Sequence, residues 1–488
     1  MTNNAPAFTP SLESLGSHKV PDWYDDAKFG IFVHWGLFSV PAFAPSLGTI
    51  GEVFANHYDI AVAQTPYAEW YENAIKVPES DSAKFHAREY GGAPYDDFRA
   101  PFLAGLEQWD ARAWARQFAA AGAKYVVLVT KHCDGYSLWP TKVAHPNKTG
   151  WHAERDIVGE LAAAVRGEGM RFGIYYCGGM DWSFNPEPLR TLGEFLGSTP
   201  GGAYPAYAEA QVKELVERYR PDVLWNDVSW PGPVGAMSRV MAHYYNTVPE
   251  GVLNDRWAPS SWATRLLRFK FARRLFDSKV KPLLRDRAQK GIVPPKPPHF
   301  DFQTPEYTSF PDIQTGKWET TRGMSHSFGY NRCDKDADYL SVTRIVHDFI
   351  DAVSKNGNLL LNVGPRGEDA RIPPEQIARL EGFGAWMKTN GEAVCGTRPW
   401  SRAESTTGEG LPVRFTRRGD ALNLFVLGRP SGDEVSIRDI APARGARIEL
   451  LGHGAVAWRQ EQGDLSIALP QPLADTPALA FTITSFGA

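Results

Sequence analysis

Short apolar runs recur along most of the chain, and several end in polar or aromatic residues. They are residues 29–33 (FGIFV), 125–129 (YVVLV), 172–176 (FGIYY), 223–225 (VLW) and 358–363 (NLLLNV). Amphipathic helical patterns lie between them. DARAWARQFAAAGAK runs into YVVLV, RDIVGELAAAVRGEGM into FGIYY, and YAEAQVKELVERYRPD into VLW. Each helical pattern stops near Gly or Pro, as helices do. Near-continuous apolar strands alternating with helices predict a parallel sheet covered on both faces.

The residues that follow these strands are polar. His34-Trp35-Gly36 follows the first, Thr130-Lys131-His132-Cys133-Asp134-Gly135 the second, and Asn226-Asp227 the fourth. Polar groups gathered at C-terminal strand ends are where a (β/α)8 barrel keeps its active site. A doubly wound sheet does the same, but no G-x-G-x-x-G follows the first strand and no P-loop occurs. The pattern therefore favours an α/β fold of (β/α)8-barrel type. After about residue 400 it changes to short alternating strands with Gly-Asp turns: VRFTRRGDALNLFVL, RIELLG, AVAWRQEQGDLSIAL and LAFTITSF. These read as a small β-sandwich with its junction near GTRPWSRAE. The expected division is residues 1–398 as a barrel catalytic domain and 399–488 as a C-terminal β-sandwich.

One stretch breaks the barrel pattern and reads as a basic insertion at about 263–298. Within it, residues 264–290 carry ten Lys/Arg against two Asp, and IVPPKPP follows. One or two basic helices are expected, with Leu267, Phe271 and Leu275 on an apolar side. A solvated excursion, a lid, an oligomer contact and a contact with an acidic glycan or membrane surface all fit this composition.

Composition narrows the function class. The 488 residues are 43% hydrophobic and 22% charged, an ordinary globular balance for a large domain with a smaller one. A formal net charge of -4 offers no global basic field for nucleic acid or an anionic membrane. The 16 Trp, 18 Tyr and 26 Phe suit either a large core or the stacking of sugar rings. Four cysteines, Cys133, Cys177, Cys333 and Cys395, show neither zinc nor disulfide spacing. No signal-peptide pattern opens the sequence and no apolar run is long enough to span a bilayer. A cytoplasmic enzyme is expected, with a trimmed leader as the alternative.

Glycoside hydrolysis commonly requires two carboxyl groups, one to attack the anomeric carbon and one to protonate the leaving oxygen. Asp227 ends the strand VLW at the barrel mouth, whereas Asp222 starts that strand and belongs to the opposite end. Asp255, in LNDRW, also ends a short apolar run. Spacing does not choose between Asp227 and Asp255.

The chain resembles the α-L-fucosidases of glycoside hydrolase family 29. The resemblance rests on WYDDAKFGIFVHWGLFSVPA (23–42), PYAEWY (66–71), GAKYVVLVTKHCDGYSLWPTK (122–142), RDIVGELAAAVRGEGMRFGIYY (155–176), RPDVLWND (220–227), LNDRW (253–257), DFQTPEY (301–307) and VSKNGNLLLNVGPRGEDARIPP (353–374). Eight motifs in order, over roughly residues 20–400, are specific together where each is weak alone. The resemblance implies a barrel followed by a β-sandwich, and a retaining exo-glycosidase that releases terminal α-L-fucose from fucosylated glycans.

It also implies site residues. Asp227 matches the nucleophile and Glu306, in DFQTPEY, the acid/base, with Glu69 as its main rival. A retaining pair of carboxyls is expected about 5–5.5 Å apart. His34 and His132 match hydroxyl-binding residues. Tyr67, Glu69 and Trp70 match a ring-facing cluster, Tyr175 and Trp225 aromatic walls, and Arg256 a cation beside the nucleophile. A guanidinium there favours an ionised Asp227. The chain departs from the family where Cys133 stands in place of the second His of K-H-H-D-G, which puts one hydroxyl contact in doubt. GPRGEDARIPP also departs from G-P-x-G-D-G-x-I-P. His34, His132 and Asp134 form a conceivable metal set, but the resemblance implies neither metal nor cofactor. The competing readings are a retaining glycosidase for a galactose-like sugar and a non-catalytic fucose-binding protein. Homo-oligomerisation is left open.

Overall fold

Side chains alternate between two cores along the longer apolar strands of the parallel sheet, and that alternation fixes what reaches the barrel mouth. The computed structural model describes residues 7–285, 291–461 and 463–486; residues 286–290 of the expected insertion lie outside the described residues. The sheet comprises β1 (Phe29–Val33), β2 (Tyr125–Lys131), β3 (Arg171–Cys177), β4 (Val223–Asp227), β5 (Val252–Leu253), β6 (Phe302–Gln303), β7 (Lys317–Gly323) and β8 (Gly357–Val363). Their spatial order is β5-β4-β3-β2-β1-β8-β7-β6, all neighbours parallel. A bridge between Asn254 and Phe302 joins the two edges. The strands beside that seam are two residues long, and a side chain completes the bonding there. Asp301 N–H donates to the Leu253 carbonyl (2.9 Å), and Leu253 N–H donates to Asp301 Oδ2 (2.7 Å).

On β1, Phe29, Ile31 and Val33 face the helices, while Phe32 enters the barrel. On β2, Val126 and Leu128 face out, while Tyr125, Val127 and Val129 face in. On β4, Leu224 faces out, while Val223 and Trp225 face in. The two-residue period then carries Asp227 to the inner face at the C-terminal end. Gly30 is required by this packing, because a Cβ there would stand 2.4 Å from the Tyr125 ring. The helices Ala111–Ala120, Ile157–Gly167, Tyr204–Tyr219, Val234–Thr247 and Val342–Ser354 bury their apolar stripes against the outer face.

Beneath the mouth lies a polar layer that the sequence pattern did not reveal. Glu319 of β7 is fully buried and accepts hydrogen bonds from the hydroxyls of Tyr24 and Tyr125 and from the Trp225 indole N–H (3.3 Å). Burial pushes its carboxyl up to about 7, against the opposing effect of these donors. Glu319→Ala leaves those donors unpaired around a cavity, and is expected to lower unfolding free energy by about 3–5 kcal/mol. Urea unfolding of the two proteins measures the difference.

Beyond the barrel, strands Arg398–Thr406, Pro412–Arg418, Ala421–Val426, Arg447–Leu450, Gly454–Ala455 and Leu479–Thr484 form a six-stranded sheet. Strands Glu434–Ile437, Trp458–Glu461 and Asp464–Ala468 form a three-stranded sheet, and the two share a core that includes Phe415, Leu424, Ile467 and Phe481. The fold is thus the expected barrel followed by a β-sandwich. Among the described residues, no helix is long and apolar enough to cross a membrane.

Candidate active site

The two carboxylates singled out in the sequence meet at one arginine. Arg256 Nη1 donates to Asp227 Oδ1 (3.2 Å), and Arg256 Nη2 donates to Glu306 Oε2 (2.9 Å). Each carboxylate has a second donor from a tyrosine. Tyr175, adjacent to β4 on β3, gives its hydroxyl to Asp227 Oδ2 (2.8 Å), and Tyr67 gives its own to Glu306 Oε1 (2.7 Å). Burial lowers the affinity of Arg256 for its proton, but Asp227 and Glu306 more than offset this and hold the guanidinium charged. Its plane lies over the Trp225 ring, 4.8 Å from the centroid.

Asp255, which spacing left as a rival to Asp227, has a different task. Its Oδ1 accepts from the Thr304 N–H (3.0 Å) and hydroxyl (2.6 Å). The Thr304 hydroxyl accepts from Arg256 Nε (3.0 Å), and the Thr304 carbonyl accepts from Arg256 Nη2 (3.2 Å). Asp255 therefore fixes Thr304, just past β6, which in turn holds the arginine. Asp222 sits at the other end of β4, bonded to Arg171 and to the Phe172 N–H, as its position predicts.

The backbone departs from ordinary conformations just after each carboxylate. Val228 has φ 67° and Ser229 φ 142°, and Tyr307, after Glu306, has φ 52°. A β-branched residue at positive φ is an outlier that its surroundings must enforce. Here the N–H groups of Gly178 and Gly179 both reach the Asp227 carbonyl at 3.2 Å.

Beside the carboxylates stands a group of neutral hydrogen-bonding side chains. Potential ligand atoms of His34, Glu69 and His132 lie within 4.8 Å of one another. Burial pushes both imidazoles down to about 3, with each His also near another group of positive or potentially positive charge. His34 Nδ1–H donates to Asn362 Oδ1 (2.6 Å), which leaves Nε2 as an acceptor. His132 lies parallel to the Tyr175 ring, centroids 5.6 Å apart. Asp134, considered with these histidines as a metal set, instead accepts from the Tyr95 hydroxyl (2.9 Å) and the Tyr136 N–H (3.1 Å).

Glu69 is pushed up to about 8, first by burial and further by the Glu306 and Asp227 charges, against the Gly329 N–H that donates to its Oε2 at 2.8 Å. A Cβ on residue 329 would stand 3.1 Å from that oxygen, so glycine permits the contact. A carboxyl with this value is protonated at neutral pH and can donate to a sugar hydroxyl. It ionises as pH rises through about 8 and then no longer donates to a sugar hydroxyl. We expect kcat/KM, which reports the free enzyme, to fall above that pH. Glu69→Gln should remove this alkaline limb, and pH profiles of the two proteins test it.

The remaining expected residues form the floor and rim. Trp225 lies beneath the carboxylates with its N–H turned down to Glu319, a floor more than a wall. Trp70 is half-buried and packs edge-on against Trp182, centroids 5.5 Å apart. Sequence reading passed over Asn362, Thr304, Phe328 and Gly329. Asn362 carried a signal, as a polar residue at the inward end of an apolar strand. Phe328 packs 5.0 Å from His34 and 5.5 Å from Tyr67, ring to ring, and nothing local marked it.

Cys133, at the family's second His position, does not replace an imidazole. Its sulfur lies 3.3 Å from that of Cys177, both side chains fully buried in the barrel core. Burial, then Cys177, raises the Cys133 thiol. A buried neutral thiol is a poor nucleophile. Iodoacetamide at neutral pH is therefore expected to change turnover by less than about twofold, with labelling at Cys133 checked by mass spectrometry.

A groove of about 740 Å³ lies apart from this site, between the helices Ala111–Ala120 and Pro374–Asn390 at the opposite end of the barrel. It holds none of the site residues.

Comparison with known proteins finds relatives along nearly the whole chain. The model of the family described as "Alpha-L-fucosidase" matches residues 1–392. The tissue alpha-L-fucosidase of Bos taurus is 32% identical over 495 residues, covering 99% of this chain and 92% of its own. That of Mus musculus is 31% identical over 475 residues, covering 95% and 91%. Among solved structures, Thermotoga maritima alpha-fucosidase in complex with fucose is 38% identical with TM-score 0.80, covering 98% of this chain and 100% of its own. The same enzyme with a mechanism-based inhibitor gives TM-score 0.81 at the same identity and coverage.

Proposed function

The chain belongs to the α-L-fucosidase family, and from that premise we propose that it removes terminal α-L-fucose from glycans by double displacement, with Asp227 as nucleophile and Glu306 as acid/base. The observation that carries this reading is the single guanidinium joining Asp227 and Glu306. It brings together the carboxyl that ends β4 and one that follows β6, beside a cluster suited to hydroxyls.

In the first step Asp227 attacks the anomeric carbon, and the Glu306 proton passes to the departing oxygen. Arg256 and Tyr175 hold the attacking carboxylate in place, each through one of its oxygens. In the second step Glu306 takes a proton from water, which displaces Asp227 from the sugar. A protonated Glu306 retains lone pairs for Tyr67 and Arg256 while its O–H faces the aglycone. His34, His132 and protonated Glu69 supply acceptors and a donor to the sugar hydroxyls. The fucose reading draws on the Thermotoga maritima relative, whose structure holds fucose.

Proton NMR during hydrolysis of an aryl α-L-fucoside tests the proposal. Retention gives α-L-fucose as the first anomer, with β appearing only by later mutarotation. Initial β-L-fucose would overturn double displacement. Faster turnover of the matching aryl galactoside would overturn the fucose assignment and leave the carboxylate roles standing.

A further inference from the structure

The basic insertion presents an outward face that the rest of the fold does not cover. It contains the helices Trp262–Leu266 and Lys270–Arg285. Of the ten large hydrophobic side chains exposed among the described residues, eight fall between residues 262 and 293. Trp262 is 77% exposed, Phe271 71% and Leu275 61%. Leu266, Phe269 and Leu283 are also exposed, and the rings of Phe269 and Phe271 stack with centroids 6.2 Å apart.

The way the second helix docks explains this exposure. Its inner face is held by polar clamps more than by apolar burial. Asp277 accepts from the Tyr58 hydroxyl (2.7 Å), the Thr191 hydroxyl (2.8 Å) and the Gly193 N–H (2.9 Å). Lys281 pairs with Asp59 at 2.7 Å, and Arg268 donates to the Thr199 carbonyl at 2.7 Å. Ala272, Phe276 and Val280 are half-buried on this inner side. At helical spacing, Phe271 and Leu275 then fall on the opposite side, with Arg274 and Lys279 exposed beside them, while Leu283 is exposed near the end of the helix. Residues 262–285 contain eight Lys/Arg and one acidic residue, and that residue, Asp277, is turned inward.

We propose that this face docks the protein on an anionic lipid surface. Exposed aromatic and leucine side chains flanked by cations match the interface of a bilayer, where apolar groups enter the acyl boundary and Lys/Arg meet headgroup charge. A second copy of this chain is a poor occupant, because a two-fold contact would oppose two faces rich in positive charge. A polyanionic chain would answer the cations but leave Trp262, Phe271 and Leu275 in water. The attachment is peripheral, since the described helices do not span a bilayer. The insertion is also tied to the pocket wall: Ile292, on its return limb, exchanges main-chain hydrogen bonds of 3.0 and 2.8 Å with Glu306.

Sedimentation of the full chain with sucrose-loaded vesicles tests the proposal independently of the assigned chemistry. With phosphatidylcholine containing about one-third phosphatidylserine, the protein should pellet at low salt and be released as salt rises. With phosphatidylcholine alone it should stay in the supernatant. Phe271→Ser with Leu275→Ser should lower partition at least about tenfold. Arg274→Gln with Lys279→Gln should lower it about fivefold per lost cation. Circular dichroism and aryl fucoside turnover matching wild type show that both variants fold. Absence of wild-type binding, equal binding to neutral vesicles, or full binding by the folded variants would overturn the proposal. So would sedimentation velocity showing a dimer that Phe271→Ser with Leu275→Ser dissociates, which would assign the face to self-association.

Discussion

Asp227→Gly is expected to lower kcat on an aryl α-L-fucoside by roughly 10⁴-fold or more, and azide is expected to restore turnover while producing β-L-fucosyl azide. The configuration follows from geometry. Removing the side chain opens the face of the sugar that Asp227 occupies, so a small anion enters from that side and the anomeric centre inverts once. Arg256 and Tyr175 remain, and both already direct donors at the Asp227 oxygens, so they can receive the anion. The matched control is Asp255→Gly. Asp255 supports Thr304 and through it Arg256, so its loss should impair turnover without azide rescue. Rescue of the Asp255 variant, and not of the Asp227 variant, would exchange their roles.

That pair of aspartates shows where sequence reading stops. Both follow apolar runs, and linear spacing ranks them equally. The family resemblance chose Asp227, and the alternation of β4 and the capture of Asp255 by Thr304 supply the physical reason for separating them. The longer apolar strands were legible because both their faces are buried, which leaves nearly unbroken hydrophobic runs. Strand β7, KWETTRG, was hidden because most of its buried positions are polar. Lys317 pairs with Asp25 at 3.0 Å, and Glu319 gathers three donors. The two-residue strands β5 and β6 are too short to show a period. The strand Arg398–Thr406 was read as a junction, and its half-exposed residues give no clear alternation. In the insertion, helices were expected and are found, yet Phe271 and Leu275 of its apolar side face outward. Hydrophobic pattern locates an apolar stripe but not what it faces, and here Asp277 sets the orientation.

Glu306→Ala carries the second large effect, and its size should depend on the leaving group. A general acid typically contributes about 10²–10⁴-fold, and it acts on the departing oxygen. For a fucoside with a poor leaving group, where protonation is needed for bond cleavage, we expect a loss near the top of that range. For a dinitrophenyl fucoside, whose phenolate departs without a proton, the first step should stay fast and the intermediate should accumulate as a burst. Azide, which needs no general base, should then speed turnover and give α-L-fucosyl azide, the product of two inversions. Glu69 is the competing acid, since burial pushes its carboxyl up to about 8 and it keeps its proton at neutral pH. Its contacts differ in kind: one oxygen is tied to the Gly329 N–H and the side chain adjoins His34 and His132, whereas Glu306 shares the Arg256 fork with Asp227. A hydroxyl-binding role for Glu69 predicts that Glu69→Ala slows good and poor leaving groups alike, without azide rescue. If Glu69→Ala shows the leaving-group dependence and Glu306→Ala does not, the proton comes from Glu69 and Glu306 serves to hold Arg256 in place.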